Sequence, residues 1–164
     1  MKKVAVIMGS PSDMPVAEKG IQILKDFDIP FEVHILSAHR TPDKAVKFAI
    51  SAEEKGFGVI IAIAGMAAHL AGVMAANTVL PVIGVPVKSD LAGGLDALLS
   101  TVQMPTGIPV AAVAVNGVAN ASLLACEIIA LSEDTVREKL KSYRKSLTES
   151  VLAKDREIKE KYNF

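Results

Sequence analysis

Five short apolar runs recur along this chain, at residues 4–8, 31–36, 59–64, 82–87 and 110–115. Each is followed by a turn or polar loop and then by a stretch with helical spacing. Runs this short, rich in Val, Ile and Ala, read as strands rather than buried helices. Alternating strands and helices bury their apolar faces together when the strands form a parallel sheet and the helices cover both sides of it.

The helical stretches carry their own boundary signals. Residues 14–27 follow a Ser/Asp start and place Ile21, Leu24 and Phe27 near helical spacing. Residues 41–55 open with Thr41 as a cap and Pro42 at the first helical position, set Ala45, Phe48, Ala49 and Ala52 on one face, and end at Gly56. Residues 67–79, 95–102 and 119–131 supply the next three. The expected architecture is a three-layer αβα domain, flavodoxin-like, with a doubly wound parallel sheet in the order 2-1-3-4-5. No linker, repeat or low-complexity segment divides residues 1–131, which are expected to form one domain.

Three polar loops sit directly after apolar runs: Gly9-Ser10-Pro11-Ser12-Asp13, Ser37-Ala38-His39-Arg40-Thr41-Pro42 and Ala64-Gly65-Met66-Ala67-Ala68-His69. Parallel strands send all three to the same sheet edge, the edge where open α/β sheets bind ligands. In the first loop, Ser10, Ser12 and Asp13 stand at a helix amino terminus, suited either to phosphate or to plain capping. In the second, Arg40 offers bidentate phosphate contact and His39 a group that titrates near neutrality. His34, inside a strand, reads as packed or solvent-facing. In the third, small residues around Gly65 allow close approach to backbone amides, and His69 either contacts a substrate or bonds a nearby carbonyl.

Other chemistries lack their signatures. The glycine fingerprint of dinucleotide-binding folds and the glycine–lysine phosphate loop are both missing. No His-Glu-x-x-His pattern or zinc spacing occurs, so no metal is expected, and no nucleophile elbow is present. Eighteen basic and eighteen acidic residues cancel, giving no footprint for nucleic acid. The lone Cys126 sits in an apolar stretch, reads as a small core residue, and fits a reducing, cytoplasmic setting. Residues 57–76 hold no charged side chain, but Gly65 and His69 interrupt them, so a strand, a turn and a helix are expected there rather than a membrane span. Met1-Lys2-Lys3 is expected to lead into a first strand rather than into a signal peptide.

The tail, residues 132–164, changes character. Ser132-Glu133-Asp134 offers a cap and an acidic first turn, and Val136, Leu140, Tyr143, Leu147 and Val151 recur at three- and four-residue steps. A helix of about 28 residues would run roughly 42 Å, longer than a small domain is wide. From residue 57 to 131 the only Lys, Arg, Asp or Glu residues are Lys88, Asp90, Asp96 and Glu127. The tail is either a solvated helix folded back on its own core or an arm packed on a neighbouring subunit; helices so poor in charge make poor solvent faces, so the arm is the expectation.

The loops together carry a resemblance. Met8-Gly9-Ser10-Pro11-Ser12-Asp13, Ser37-Ala38-His39-Arg40-Thr41-Pro42, Ala67-Ala68-His69-Leu70, Pro81-Val82-Ile83-Gly84-Val85-Pro86-Val87 and Val102-Gln103-Met104-Pro105-Thr106-Gly107-Ile108-Pro109-Val110 resemble the class I N5-carboxyaminoimidazole ribonucleotide mutases of purine biosynthesis. That family is also called the catalytic subunit of phosphoribosylaminoimidazole carboxylase. The resemblance implies a cofactor-free isomerase that moves a carboxylate from the exocyclic nitrogen to carbon 4 of an imidazole ring, through decarboxylation and recarboxylation. It implies that His39 is the general acid and base. Arg40 with Ser37 would hold the 5′-phosphate, Asp13 would accept ribose hydroxyls, and Ser10 would lie near the base, with Ser12 beside it. Gly65, His69 and Leu70 would line a carbon dioxide pocket. The resemblance also implies a homo-octamer and a functional link to an ATP-dependent synthase that supplies the substrate.

Two positions depart from the family pattern. Met66 stands where a second glycine is usual, and Ala71 where proline is usual. A related class II carboxylase uses free carbon dioxide, and the first loop, the His-Arg pair and Gln103-Met104-Pro105 favour the mutase over it. A non-catalytic nucleotide-binding module of the same fold is the remaining rival. A receiver-like version would need an acidic residue after the third strand, where this chain has Ala64-Gly65.

Overall fold

In the computed structural model, which describes residues 1–163, the five strands form one all-parallel sheet in the order β2-β1-β3-β4-β5. The strands are β1 (Lys3–Met8), β2 (Phe31–Ile35), β3 (Phe57–Gly65), β4 (Val82–Val87) and β5 (Ala111–Ala112). The helices are α1 (Met14–Asp26), α2 (Pro42–Ser51), α3 (Leu70–Ala75), α4 (Leu95–Val102), α5 (Val118–Ile129) and α6 (Asp134–Tyr162). Single turns of 3-10 helix at Pro11–Asp13 and Leu91–Gly93 follow β1 and β4. The expected strand order therefore holds.

Period-two alternation divides the core into two layers. Val4, Val6 and Met8 of β1, with Val59, Ile61 and Ile63 of β3, pack beneath α1 and α5 around Leu24, Ala121 and Cys126. Ala5 and Ile7, with Ile60 and Ala62, face α2 and α3 around Ala45, Ala49, Leu70 and Met74. Both faces of the central strands are dry, which is why their sequences read as continuous apolar runs. Burial pushes the Cys126 thiol up to about 12, so it is an inert core group.

Several boundaries differ from the sequence expectation. The second helix, expected through residue 55, ends at Ser51, and turns over residues 52–56 lead into β3, which starts at Phe57 rather than at residue 59. The fifth strand was expected over 110–115, but only Ala111 and Ala112 pair with β4. Gly84 and Pro86 turn their backbones toward β5, accepting from the Val113 and Asn116 amides, and Pro86 has no hydrogen to return to the ladder. The third helix was expected from residue 67 but begins at Leu70, because Met66 adopts a left-handed φ of 54°. His69 is consequently the residue preceding the helix rather than part of its first turn. Finally, neither expected hydroxyl cap forms. Ser132 bonds back to the Ile129 carbonyl, and Thr41 makes no cap bond to α2.

The tail is one helix of 29 residues. Its start folds back on the chain's own core: Val136 and Leu140 are buried, and Tyr143 meets Phe27 edge-on with ring centroids 5.7 Å apart. Farther along, Leu147, Val151, Leu152 and Ile158 are exposed. Among the described residues, no helix is long and apolar enough to cross a membrane.

Close packing of α3 and α4 on β4 depends on Gly84. A Cβ built there would overlap the Thr101 methyl and lie 3.1 Å from Val110 Cγ1 and 3.2 Å from Ala71 Cβ. Overpacking of this kind costs about 1–3 kcal/mol. Gly84→Ala is therefore expected to lower the melting temperature by several degrees, read by thermal denaturation; an unchanged midpoint would show that the two helices yield freely.

Candidate active site

All nine residues singled out from the sequence, Ser10, Ser12, Asp13, Ser37, His39, Arg40, Gly65, His69 and Leu70, line one cleft of about 800 Å³ at the carboxyl edge of the sheet. The strand register brings them there. Met8 pairs with Ile35 on one side and Ile63 on the other, so the first three strands end at one level.

The first loop is held by reciprocal bonds. Ser10 Oγ accepts from the Ser12 amide at 3.3 Å and from the Ser12 hydroxyl at 2.8 Å, while Asp13 Oδ2 accepts the Ser10 amide at 3.1 Å. This is a capping box around the turn Pro11–Asp13. Capping and a ligand role thus coexist: the cap uses one oxygen of Asp13, and a carboxylate has two. Asp13 is only 7% exposed. Burial raises its pKa above the usual 3.8, against the Ser10 amide and the Arg40 charge, which both favour the ionised form.

The second loop is tied to the first. Arg40 Nη2 donates to the Gly9 carbonyl at 2.7 Å, and its amide and Nε donate to Ser37 Oγ at 3.1 and 3.3 Å. Two of the five guanidinium hydrogens are thereby used, leaving others for an oxyanion. His39 reaches across to the third loop, where its Nε2 lies 3.0 Å from His69 Nδ1, with the rings near perpendicular at 88°. One ring must donate and the other must lend a lone pair, so the contact holds a single proton between two bases. His34 lies elsewhere, bonded to Glu32 at 3.2 Å and packed on Phe48, as its mid-strand position implied.

A fourth loop, not foreseen from the sequence, completes the wall with Lys88, Ser89 and Asp90 after β4. Its place follows from the same strand-end rule, but none of its residues forms a recognisable pattern. The Asn116 side chain holds it by accepting the Lys88 amide at 3.0 Å. No group of three or more His, Cys, Asp or Glu side chains suited to a metal ion occurs among the described residues.

Two stability measurements test this geometry. Between pH 3.8 and the raised pKa of Asp13, the folded chain keeps a proton that the unfolded chain has released. Stability contributed by Asp13 therefore falls as pH rises through that window. Asn cannot ionise but can still accept the Ser10 amide. The melting temperature of Asp13→Asn minus that of the wild type should increase with pH across the carboxylate range and then level off; a flat difference would mean Asp13 is not penalised by burial. The left-handed backbone at Met66 costs a side-chain-bearing residue about 1–2 kcal/mol. Met66→Gly should therefore raise the melting temperature by a few degrees, and a lower midpoint would contradict the strain.

Comparison with known proteins places this architecture. A model of the AIR carboxylase family matches residues 3–150. A protein of Pyrococcus abyssi named N5-carboxyaminoimidazole ribonucleotide mutase is 54% identical over 147 residues, covering 90% of this chain and 84% of that protein. One of the same name from Thermotoga maritima is 48% identical over 160 residues, covering 98% and 94%. Yeast phosphoribosylaminoimidazole carboxylase is 49% identical over 155 residues, covering 94% of this chain and 27% of that much longer protein. Among solved structures, Treponema denticola PurE superposes with a TM-score of 0.83 at 32% identity, over 98% of each chain. Matched by that family model from β1 into α6, and by mutases of nearly its own length, the chain belongs to the AIR carboxylase family.

Proposed function

We propose that this chain converts N5-carboxyaminoimidazole ribonucleotide into 4-carboxy-5-aminoimidazole ribonucleotide in purine biosynthesis, with His39 as the acid and base. The observation that carries the proposal is the convergence of Asp13, His39 and Arg40 on one cleft. The mutase names of relatives about half identical over nearly the whole chain support it.

The chemistry balances without an oxidant, a reductant or ATP. The bond from the exocyclic nitrogen to the carboxylate carbon breaks, and that nitrogen gains a proton. Carbon 4 then bonds to the carbon dioxide set free and loses its own hydrogen. One proton thus moves from carbon to nitrogen, and one imidazole can deliver it and collect it again. Between the two transfers that proton sits on the substrate nitrogen, and His69, in contact with His39 Nε2, holds the unprotonated imidazole ready to collect the carbon-4 hydrogen.

The remaining residues bind and enclose. Arg40 and Ser37 take the 5′-phosphate, where a guanidinium is worth more than a point charge because its donors match phosphate oxygens. Asp13 takes the ribose hydroxyls, and its desolvation is the cost of keeping an acceptor ready in a buried place. Ser10 and Ser12 face the base. Gly65, a small residue, and Leu70, an apolar one, enclose the carbon dioxide together with His69.

Assembly is part of the same proposal. The exposed apolar residues of α4 (Leu95, Leu99 and Val102) and of the distal half of α6 are surfaces for neighbouring subunits of a homo-octamer. The enzyme works in the cytoplasm, downstream of an ATP-dependent synthase that makes the carbamate. A second reading, a carboxylase acting on aminoimidazole ribonucleotide and free carbon dioxide, draws on the name of the yeast relative.

Incubating the protein with N5-carboxyaminoimidazole ribonucleotide, without ATP or bicarbonate, separates the two readings. The mutase forms the carbon-4 carboxylate from it directly; the carboxylase requires aminoimidazole ribonucleotide and added carbon dioxide. His39→Asn should lower turnover by at least about 10²–10⁴-fold, the usual contribution of a positioned acid or base, with an unchanged melting temperature. Near-native activity in that variant would remove His39 from the mechanism.

A further inference from the structure

Residue 41 is where local sequence preference and structure part. A threonine directly before a helix that begins with proline is well placed to cap it, yet the Thr41 side chain makes no bond to the first amides of α2. It turns back instead. Its Oγ1 accepts the Ser37 amide at 2.9 Å and donates to the Ser37 carbonyl at 3.2 Å, and the Thr41 amide donates to that same carbonyl at 2.9 Å. One residue therefore grips both backbone groups of another four positions earlier. Ala38, His39 and Arg40 lie inside the bracket.

Both ends of the bracket are anchored to the domain. On one side the Leu36 amide donates to the Met8 carbonyl of β1 at 2.9 Å. On the other, the Thr41 carbonyl accepts the Ala45 amide at 3.1 Å, and Ala45 is fully buried on the sheet. Within the bracket, Ser37 Oγ accepts the Arg40 amide and Nε. The side chains of His39 and Arg40 are exposed, so burial does little to hold them, and the loop's internal bonds must do it. Thr41 itself is not among the residues lining the cleft.

We propose that Thr41 is a positioning residue for the reaction. Through the Ser37 backbone, its hydroxyl sets His39 against His69 and aims Arg40 past Gly9, and it forgoes the helix cap to do so. The inference rests on the assignment of His39 and Arg40 above. A misplacement of about 1 Å at a reacting group can cost on the order of 10²-fold in rate, so a loop clamp one residue removed from the cleft is enough to matter.

Valine matches threonine in shape and lacks the hydroxyl, while serine keeps the hydroxyl and lacks the methyl group. We expect Thr41→Val to lower kcat by about 10-fold or more at temperatures well below its melting point, and Thr41→Ser to stay close to the wild type. Amide hydrogen exchange should report the same split: faster at Ser37 and Arg40 in Thr41→Val, native-like in Thr41→Ser. A purely structural role would lower the melting temperature of the valine variant and leave kcat untouched. Wild-type kcat in Thr41→Val, or equal damage in both variants, overturns the proposal. If the valine variant does not fold, Thr41→Ala against Thr41→Ser makes the same comparison. A wild-type protein inert toward the ribonucleotide would instead refute the assigned reaction, and the exchange comparison would still decide whether the clamp exists.

Discussion

The cleft depends first on the register of β1 between its two neighbours. Met8 lies opposite Ile35 and Ile63, and Ile63 lies opposite Val85. Four strands therefore finish at one level and release their loops along one edge. That register is fixed by apolar side chains: Val4, Val6 and Met8 must face α1 and α5, while Ala5 and Ile7 must face α2 and α3. A slip of one residue would exchange the two buried sets, putting small Ala5 where Val4 and Val6 pack and the larger Val and Met side chains against α2 and α3. The hydroxyls, carboxylate and imidazoles of the cleft are thus placed by residues that do no chemistry.

This division explains what the sequence made legible. Strand and helix positions follow from periodicity over five or more residues, and the sheet edge follows from strand direction, so the amino-acid sequence alone gathers the three loops. The contacts that join the loops were not legible. Arg40 to Gly9 and His39 to His69 span about thirty residues each, and no spacing rule predicts which donor meets which acceptor. The short β5 was hidden for another reason: Pro86 sits in a neighbouring strand, and its missing hydrogen acts across the sheet rather than along the chain. The Lys88-Ser89-Asp90 loop offered position alone, without a recognisable pattern.

Local preferences fail mostly at the same edge. Met66 takes a left-handed backbone without being glycine, and Asn116 does so while its side chain secures the fourth loop. Thr41 leaves its helix uncapped, and Asp13 is buried although burial opposes its charge. Asp28 is the useful contrast. It is also left-handed, but it lies beyond the C-terminus of α1, an ordinary helix exit, and pairs with Lys139. Violations gathered at a ligand edge have a different origin from one at a helix end: they persist because the surrounding fold determines them and a site makes use of them.

The histidine pair links this strain to the proposed chemistry. A free carbon dioxide intermediate must be recaptured by carbon 4 before water or diffusion takes it, and the imidazole that protonated the nitrogen must stay unprotonated until it takes the carbon-4 hydrogen. The Nε2–Nδ1 contact keeps that base in place, since at least one of the two rings must be neutral for the bond to exist. Yet His39, His69 and Arg40 are exposed on the single chain, and an exposed base takes protons from water. The proposed assembly addresses that conflict. In that assembly the exposed apolar face of α4, whose Leu99 shares a groove with His69, is covered by a neighbouring subunit, so subunit packing and retention of the intermediate become one requirement.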